Sequence, residues 1–193
     1  MRANGYELSQ MLFLVIIRKV QILKFSVLMV LALAFPMATV AAEAEPPRPA
    51  PAFTLKAMQL PGGKPSSAKL PLSAFKGKVV LVDFWASWCG PCRVSFPQYD
   101  ALYKELRAQG FEILGVNLDE QIQDAQGFLD GSPVTFSLVT DPSGKTAELY
   151  NVEGMPTSYL IDRQGNIIHT HKGFVEGDVE KLKKTILRAL KQP

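Results

Sequence analysis

The sequence predicts an α/β fold in which a mixed central β-sheet carries helices on both faces. Residues 79–84 read Val-Val-Leu-Val-Asp-Phe, a nearly continuous apolar run that is typical of a strand buried on both faces. Residues 91–109 follow with apolar side chains at helical spacing, and Gly110 is placed to end that helix. We expect a βαβ unit followed by a βαββα unit, an order that favours a mixed sheet covered on both faces.

The folded domain is predicted to cover residues 53–193, after a proline-rich linker at residues 45–52 that reads as a stiff tether. The domain begins with an added N-terminal β-hairpin. Its first strand is expected at residues 53–55 and its partner at residues 70–72, with a Pro-Gly-Gly turn at residues 61–63 between them.

The second half of the domain alternates short strands and helices, and residues 118–140 are predicted to be a central helical insertion. A C-terminal helix follows a cap at Gly177-Asp178 and has one apolar stripe. The expected elements before it are a strand at 111–116, a helix at 122–129, a strand at 136–139, a turn at 141–144, a helix through Tyr150, and a hairpin of strands at 157–161 and 167–170.

The composition is that of a globular protein. The chain has 193 residues, 47% of them hydrophobic and 20% charged, which excludes collagen-like and wholly disordered classes. The net charge of +3 comes from residues 1–42, which carry four basic side chains and one acidic one; the remaining residues carry 17 of each sign. The sequence therefore predicts no nucleic-acid partner.

Residues 1–44 have the three parts of a secretory signal. Basic residues precede an apolar run at residues 25–35, and small residues follow it. We expect cleavage after Ala42 or Ala44, which would put the mature protein in the periplasm or otherwise outside the cytoplasm. The alternative is an uncleaved membrane anchor, because residues 25–42 are nearly all apolar.

The chain has two cysteines, and they stand as Cys89-Gly90-Pro91-Cys92 between the buried strand and the first helix. Free N–H groups and the macrodipole at a helix N-terminus favour negative charge, so the pKa of the Cys89 thiol is expected to be low. Pro91 suits the first helical turn because it lacks an N–H. We therefore expect Cys89 to be the exposed attacking thiolate and Cys92 to be the buried resolving thiol.

The cysteines have two other possible roles, a structural disulfide and a zinc site. A purely structural disulfide would close a very short loop and add little stability. A zinc site would need two more ligands, and the candidates are His169 and His171, whose His-x-His spacing is unusual for zinc. A pair of surface histidines is the simpler interpretation, and no metal site is predicted. Redox chemistry is favoured because the motif has its strand and helix context.

The chain resembles the thioredoxin-like family. Residues 82–92 (Val-Asp-Phe-Trp-Ala-Ser-Trp-Cys-Gly-Pro-Cys) are similar to the active-site segment of thioredoxins, and Pro97 matches the proline that kinks the following helix. Residues 154–157 (Gly-Met-Pro-Thr) resemble the cis-proline loop of the family. The added hairpin, the insertion and the signal indicate the exported TlpA/ResA-like, or redoxin, branch.

The resemblance implies roles for further residues. Asp83 corresponds to a buried carboxylate that takes the proton from Cys92, directly or through water. Trp88, Gly90 and Pro91 would contact the substrate around a redox-active Cys89–Cys92 disulfide. In the loop, Met155, Pro156 and Thr157 would bind the substrate. The resemblance also implies a cis Met155–Pro156 bond, which leaves the Met155 backbone free to pair with an incoming peptide.

Two positions depart from the branch. Ser95 stands where many of its reductases have Glu, and Thr157 replaces the Glu of the Pro-Glu-Thr loop in the cytochrome-maturation subtype. Both departures argue against apocytochrome c as a dedicated substrate.

The function predicted is a thiol–disulfide oxidoreductase that reduces protein disulfides outside the cytoplasm. Its expected partners are a disulfide-containing protein and a membrane-embedded thiol donor of electrons, and the protein is expected to be a monomer. No cofactor is predicted, since no Gly-x-Gly-x-x-Gly motif is present. Two alternatives stay open: a thiol peroxidase, although its Pro-x-x-x-Thr-x-x-Cys pattern is absent before Cys89, and a copper(I) carrier, for which Met155 is the one extra ligand nearby.

Overall fold

The computed structural model of the chain describes residues 48–58 and 68–192. The predicted export signal or anchor at residues 1–44 lies outside the described residues, as does the Pro-Gly-Gly turn. Within the described ranges, no helix combines the length and the apolar character needed to cross a membrane.

The strands in the described residues form one mixed sheet. They are β1 (Arg48–Pro49), β2 (Thr54–Ala57), β3 (Lys69–Pro71), β4 (Val79–Trp85), β5 (Phe111–Asn117), β6 (Ser137–Thr140), β7 (Thr157–Ile161) and β8 (Asn166–Lys172). Their order in the sheet is β1-β8-β7-β4-β5-β6-β2-β3. Strand β4 is central, parallel to β5 and antiparallel to β7, and β5 is parallel to β6. The mixed sheet and the added hairpin, formed by antiparallel β2 and β3, confirm the predicted fold class.

Four α-helices are described: α1 (Gly90–Leu106), α2 (Ile122–Gly131), α3 (Lys145–Leu149) and α4 (Asp178–Leu190). Helix α1 continues through Pro97 and passes into a 3₁₀ turn that ends at Gly110, whose φ of 93° is a left-handed conformation that glycine adopts without strain. Helix α2 lies between β5 and β6 and is the predicted central insertion.

Strand β4 explains why helices cover both faces of the sheet. All seven of its residues are buried, and successive side chains point to opposite faces. Leu81 and Trp85 join a core cluster with residues of α1, α2 and α4, whereas Val82 and Phe84 join a second cluster with Ala147 of α3. Asp83 is two residues from both Leu81 and Trp85, so its side chain lies on the same face of the sheet as theirs, the α1 face.

The N-terminal edge of the sheet differs from the tether expected at residues 45–52. Arg48–Pro49 pairs with β8, Ala50 N donates to Gly165 O at 2.9 Å, and Pro51 O accepts the Tyr150 hydroxyl at 2.8 Å. An edge strand pairs with a neighbour on one side only. Proline is tolerated in such a strand where its missing N–H would have faced solvent and not the neighbouring strand. The segment from Arg48 to Pro51 is therefore part of the domain.

Candidate active site

The cysteines form a disulfide at the start of α1. Cys89 and Cys92 are bonded, with their Cα atoms 5.3 Å apart. Cys89 is the N-cap residue of α1, and its Sγ accepts a hydrogen bond from Cys92 N at 3.3 Å. The Cys89 sulfur therefore sits where the first N–H groups of the helix can stabilise negative charge.

The two cysteine residues differ in exposure less than expected. Cys89 is 4% exposed and Cys92 is fully buried. The prediction of an exposed Cys89 is thus wrong for the disulfide form, because its Sγ turns inward toward Cys92 Sγ and Cys92 N. Trp88, by contrast, is 70% exposed at the rim of the site.

The residues between and after the cysteines complete the first turns of α1. Gly90 and Pro91 are exposed, and Pro91 lies in the first turn, where its missing N–H leaves no helical hydrogen bond unmade. Ser95, at the position of the branch's Glu, is buried and donates its hydroxyl to Cys92 O at 3.2 Å. Ser95 therefore contributes a neutral hydrogen bond there.

Asp83 is a fully buried carboxylic acid on the α1 face of β4. Its Oδ1 accepts a hydrogen bond from Ser158 Oγ at 2.7 Å, and its Oδ2 has no hydrogen-bond partner within residues 48–58 and 68–192. Desolvation by burial raises the pKa of Asp83 to about 7, although the Ser158 hydrogen bond lowers it in part. A carboxyl with this pKa can both accept and release a proton near neutral pH.

The predicted cis-proline loop precedes β7, next to the end of β4. The Met155–Pro156 bond is cis, and Pro156 O accepts a hydrogen bond from Gly173 N at 2.8 Å. Thr157 Oγ1 donates to Gly154 O at 2.6 Å, and Thr157 pairs with Phe84 in the sheet. Met155 packs against the core cluster that contains both cysteines, so the structure brings this loop and the disulfide to one side of the sheet.

A second buried carboxylate was missed by sequence reasoning. Asp119 follows β5, is 3% exposed, and accepts hydrogen bonds from the backbone N and the hydroxyl of Ser87, which lies two residues before Cys89. A single aspartate after a strand, thirty residues after Cys89, gives no sequence signal for such a contact.

The two histidines, His169 and His171, both lie on β8. Their rings are 6.5 Å apart, and His171 Nε2 is 3.4 Å from Asp178 Oδ2. Across the described part of the chain, no group of three or more His, Cys, Asp or Glu side chains could hold a metal ion. Both histidines are half-buried, so the description as surface residues applies to them only in part.

Curated relatives of the chain are thiol–disulfide proteins. The thiol-disulfide oxidoreductase ResA of Bacillus subtilis is 34% identical over 105 residues, which cover 54% of this chain and 59% of ResA. The thiol:disulfide interchange protein HelX of Rhodobacter capsulatus is 42% identical over 105 residues, which cover 53% of this chain and 57% of HelX. Each match spans less than two thirds of the relative's own length.

Solved structures give the same relationship at the level of the fold. A crystal structure from Chlorobium tepidum, assigned as the thiol:disulfide interchange protein DsbE, aligns with a TM-score of 0.69 and 44% identity over 76% of this chain and 99% of that chain. StoA of Bacillus subtilis aligns with a TM-score of 0.57 and 27% identity, covering 70% and 96%. These likenesses confirm the predicted thioredoxin-like fold.

The family model of the AhpC/TSA family matches residues 46–170, well over half of the chain. The matched range includes both cysteines, Asp83 and the Met155–Pro156 loop. The chain therefore belongs to the AhpC/TSA family.

Proposed function

We propose that the protein is a thiol–disulfide oxidoreductase that reduces disulfide bonds of other proteins. The observation that carries the proposal is the Cys89–Cys92 disulfide at the N-terminus of α1, with Cys89 Sγ against the Cys92 N–H. The similarity to the thiol-disulfide oxidoreductase ResA and the thiol:disulfide interchange protein HelX supports it, as does the family resemblance of residues 82–92.

The reaction is a two-electron exchange. In the dithiol form, the Cys89 thiolate attacks one sulfur of a substrate disulfide, the substrate S–S bond breaks, and the other substrate sulfur leaves as a thiolate. Cys92 then attacks Cys89 Sγ, closes the Cys89–Cys92 bond and releases the second substrate sulfur. The substrate gains two electrons and two protons, and the protein loses them.

Asp83 is proposed as the base for the second step. Cys92 is fully buried and must lose its proton before it attacks, and Asp83 lies on the same face of β4 as the cluster that contains Cys92. A pKa of about 7 lets Asp83 take that proton, directly or through water, at neutral pH. The Asp83→Asn variant should release the mixed disulfide about a hundred-fold more slowly.

Substrate binding is proposed at Trp88, Gly90, Pro91 and the loop of Met155, Pro156 and Thr157. Trp88 exposes a large apolar ring beside the disulfide, which suits an unfolded or flexible polypeptide better than a small polar thiol. A peptide strand can pair with the Met155 backbone while its disulfide faces Cys89.

The proposed setting is outside the cytoplasm. Residues 1–44 would direct export, and mature protein should begin at Glu43 or Glu45. Retention of the amino terminus in a membrane fraction would favour an anchor instead. Because the chain has no dinucleotide-binding motif, we expect a membrane-embedded dithiol protein to donate the electrons. The protein is expected to act as a monomer.

The reduction potential tests the proposal. Gly90 and Pro91 offer no side chain that would stabilise a thiolate, so the disulfide should be comparatively stable and the potential close to about −270 mV. Equilibration with dithiothreitol buffers, followed by mass measurement of alkylated protein, gives the value. A potential above about −150 mV would make the protein a disulfide donor. Peroxide turnover without protein substrate, or stoichiometric copper(I) binding, would favour the two alternative functions.

A further inference from the structure

Ser87 is held by hydrogen bonds on every polar group it has. Its backbone N–H donates to Asp119 Oδ2 at 2.9 Å, and its hydroxyl donates to Asp119 Oδ1 at 2.8 Å. Its carbonyl oxygen accepts a hydrogen bond from Arg93 Nη2 at 3.1 Å. Two residues from different parts of the fold therefore fix Ser87: Asp119, just after β5, and Arg93, the fourth residue of α1.

Asp119 is itself fixed in place. Asn117 Nδ2 donates to Asp119 Oδ2 at 2.7 Å, and Asp119 N donates to Asn117 Oδ1 at 3.2 Å. Asn117 is the last residue of β5, fully buried, and pairs with Trp85 at the end of β4. The carboxylate thus connects the ends of two central strands to the segment that follows β4.

That segment is a tight turn leading directly to the nucleophile. Cys89 N donates to Ala86 O at 3.1 Å, so Ser87 and Trp88 are the two central residues of a turn from Ala86 to Cys89. Any movement of Ser87 therefore changes the position of Cys89 relative to the first N–H groups of α1.

We infer that Asp119 is a positioning residue for the active site: through Ser87 it holds the Ala86–Cys89 turn so that the Cys89 sulfur stays over the N-terminus of α1. The inference rests on the proposed thiol–disulfide function. It assigns no chemical step to Asp119, whose carboxylate accepts hydrogen bonds from Ser87 and Asn117 and acts on Cys89 through Ser87.

A positioning role and a purely electrostatic role predict opposite results. If Asp119 acted on Cys89 only through its negative charge, its removal would favour the thiolate and make Cys89 ionise at lower pH. If Asp119 positions the turn, its removal lets the sulfur leave the helix terminus, and Cys89 should ionise at higher pH. The sign of the change therefore separates the two roles.

The experiment measures the pH dependence of iodoacetamide alkylation of Cys89 in the full reduced protein. Asp119→Ala should move the Cys89 ionisation to higher pH and slow alkylation at pH 7 by about ten-fold. Asp119→Asn retains an oxygen that can accept the Ser87 N–H, so it should recover most of the rate.

Asp100→Ala is the matched control. Asp100 is another buried carboxylate that accepts hydrogen bonds from both the backbone N and the hydroxyl of one residue, Thr135, at 2.6 and 2.8 Å. The Asp100→Ala variant should lose about as much thermal stability as Asp119→Ala, and the alkylation profile of its Cys89 should be unchanged. Should Asp119→Ala fail to fold, Ser87→Ala removes only the hydroxyl bond and should shift the profile in the same direction by a smaller amount.

The outcomes separate the two proposals. A shift to lower pH in Asp119→Ala, or a profile identical to that of Asp100→Ala, would overturn the positioning role. The oxidoreductase proposal has its own readout, which is reversible exchange of the wild-type disulfide with glutathione. If the wild type exchanges normally and the Asp119 variants match the control, the positioning role alone is wrong.

Discussion

The hydroxyl of Ser158 donates a 2.7 Å hydrogen bond to Asp83 Oδ1 across the antiparallel β4–β7 pair, in which these two residues are direct partners. Ser158 Oγ also lies 3.2 Å from the Tyr99 hydroxyl of α1. Because the single Ser158 proton is directed to Asp83, Tyr99 must be the donor in its contact with Ser158. A buried chain of Tyr99, Ser158 and Asp83 therefore links α1, β7 and β4, and it ends on the proposed base.

Removal of the Ser158 hydroxyl should raise the pKa of Asp83 above about 7. The hydrogen bond favours the ionised carboxylate and partly offsets the desolvation that raises the pKa. Ser158→Ala leaves desolvation unopposed, while Tyr99→Phe, which removes only the donor to Ser158, should have a smaller effect in the same direction. Carbon chemical shifts of the Asp83 carboxyl, followed by NMR in the oxidised protein, measure both.

Ser95→Ala is the control for that titration. Ser95 is also a buried serine near the site, but its hydroxyl bonds to Cys92 O and not to a carboxylate. Its removal should leave the Asp83 titration unchanged. An unchanged Asp83 pKa in Ser158→Ala would show that the serine only fills space.

The raised pKa of Asp83 predicts how stability depends on pH. The folded protein holds the Asp83 proton up to about pH 7, whereas an ordinary aspartate releases it near 3.8. The folded state therefore binds more protons over this range, and the free energy of unfolding falls as pH rises from about 4 to about 7. The stabilisation is complete below that window and lost above it.

Asp83→Asn should abolish this slope, because the amide stays neutral. At pH 8 the variant should be more stable than the wild type by up to about 4 kcal/mol, although it is the slower enzyme. Urea denaturation of the oxidised proteins at several pH values measures the difference. Asp100→Asn should have the opposite sign: burial opposes ionisation of Asp100, but hydrogen bonds from Lys104 and Thr135 outweigh it and lower its pKa. Equal pH dependence in wild type and Asp83→Asn would contradict a raised pKa.

The sequence predicted most of the fold because its strongest signals are local. The apolar run at residues 79–84, the helical spacing after it and Gly110 each depend on neighbouring residues only. Strand β4 and the start of α1 lie where expected, and the 3₁₀ turn that follows α1 ends at Gly110. Strand β1 was missed because Arg48–Pro49 lies in a proline-rich segment, and its pairing with β8 depends on residues more than a hundred positions away.

The site was predicted to the extent that its parts are contiguous. The cysteine pair and the helix that follows it could be predicted from the spacing of residues along the chain. The apolar neighbours of Asp83 predicted that it is buried in the core. Ser158, Tyr99 and Asp119 are ordinary residues in sequence. Their roles come from contacts across the sheet, at separations of 75 residues for Ser158–Asp83 and 32 for Ser87–Asp119, and no local pattern reports such contacts.

The order of attack should be visible in trapped intermediates. Cys92→Ser keeps Cys89 at the helix terminus and removes the resolving thiol, so it should accumulate mixed disulfides with protein substrates. Cys89→Ser leaves only the fully buried Cys92 and should accumulate none. Non-reducing electrophoresis with mass spectrometry of the trapped species tests this and identifies the substrates. Trapping through Cys92 instead would reverse the assigned roles.

Gly115 on β5 should be essential for the packing behind the disulfide. A Cβ at this position would lie 2.5 Å from Leu138 Cδ2 and 3.2 Å from Trp85 Nε1, in a core where Trp85 already packs on Phe96 and Phe128. Because all these side chains are buried, Gly115→Ala should destabilise the protein by about 1–3 kcal/mol and shift Trp85 fluorescence.

Gly127→Ala is the matched comparison for that change. Gly127 lies inside α2, and a Cβ there would meet no atom within 4 Å among the residues described. Alanine in a helix interior should stabilise by about 0.5–1 kcal/mol relative to glycine. The two variants make the same chemical substitution, so opposite signs in urea denaturation isolate the packing behind Trp85. A gain of stability in Gly115→Ala would mean that Leu138 and Trp85 can move apart without cost, and the tight packing inferred here would be wrong.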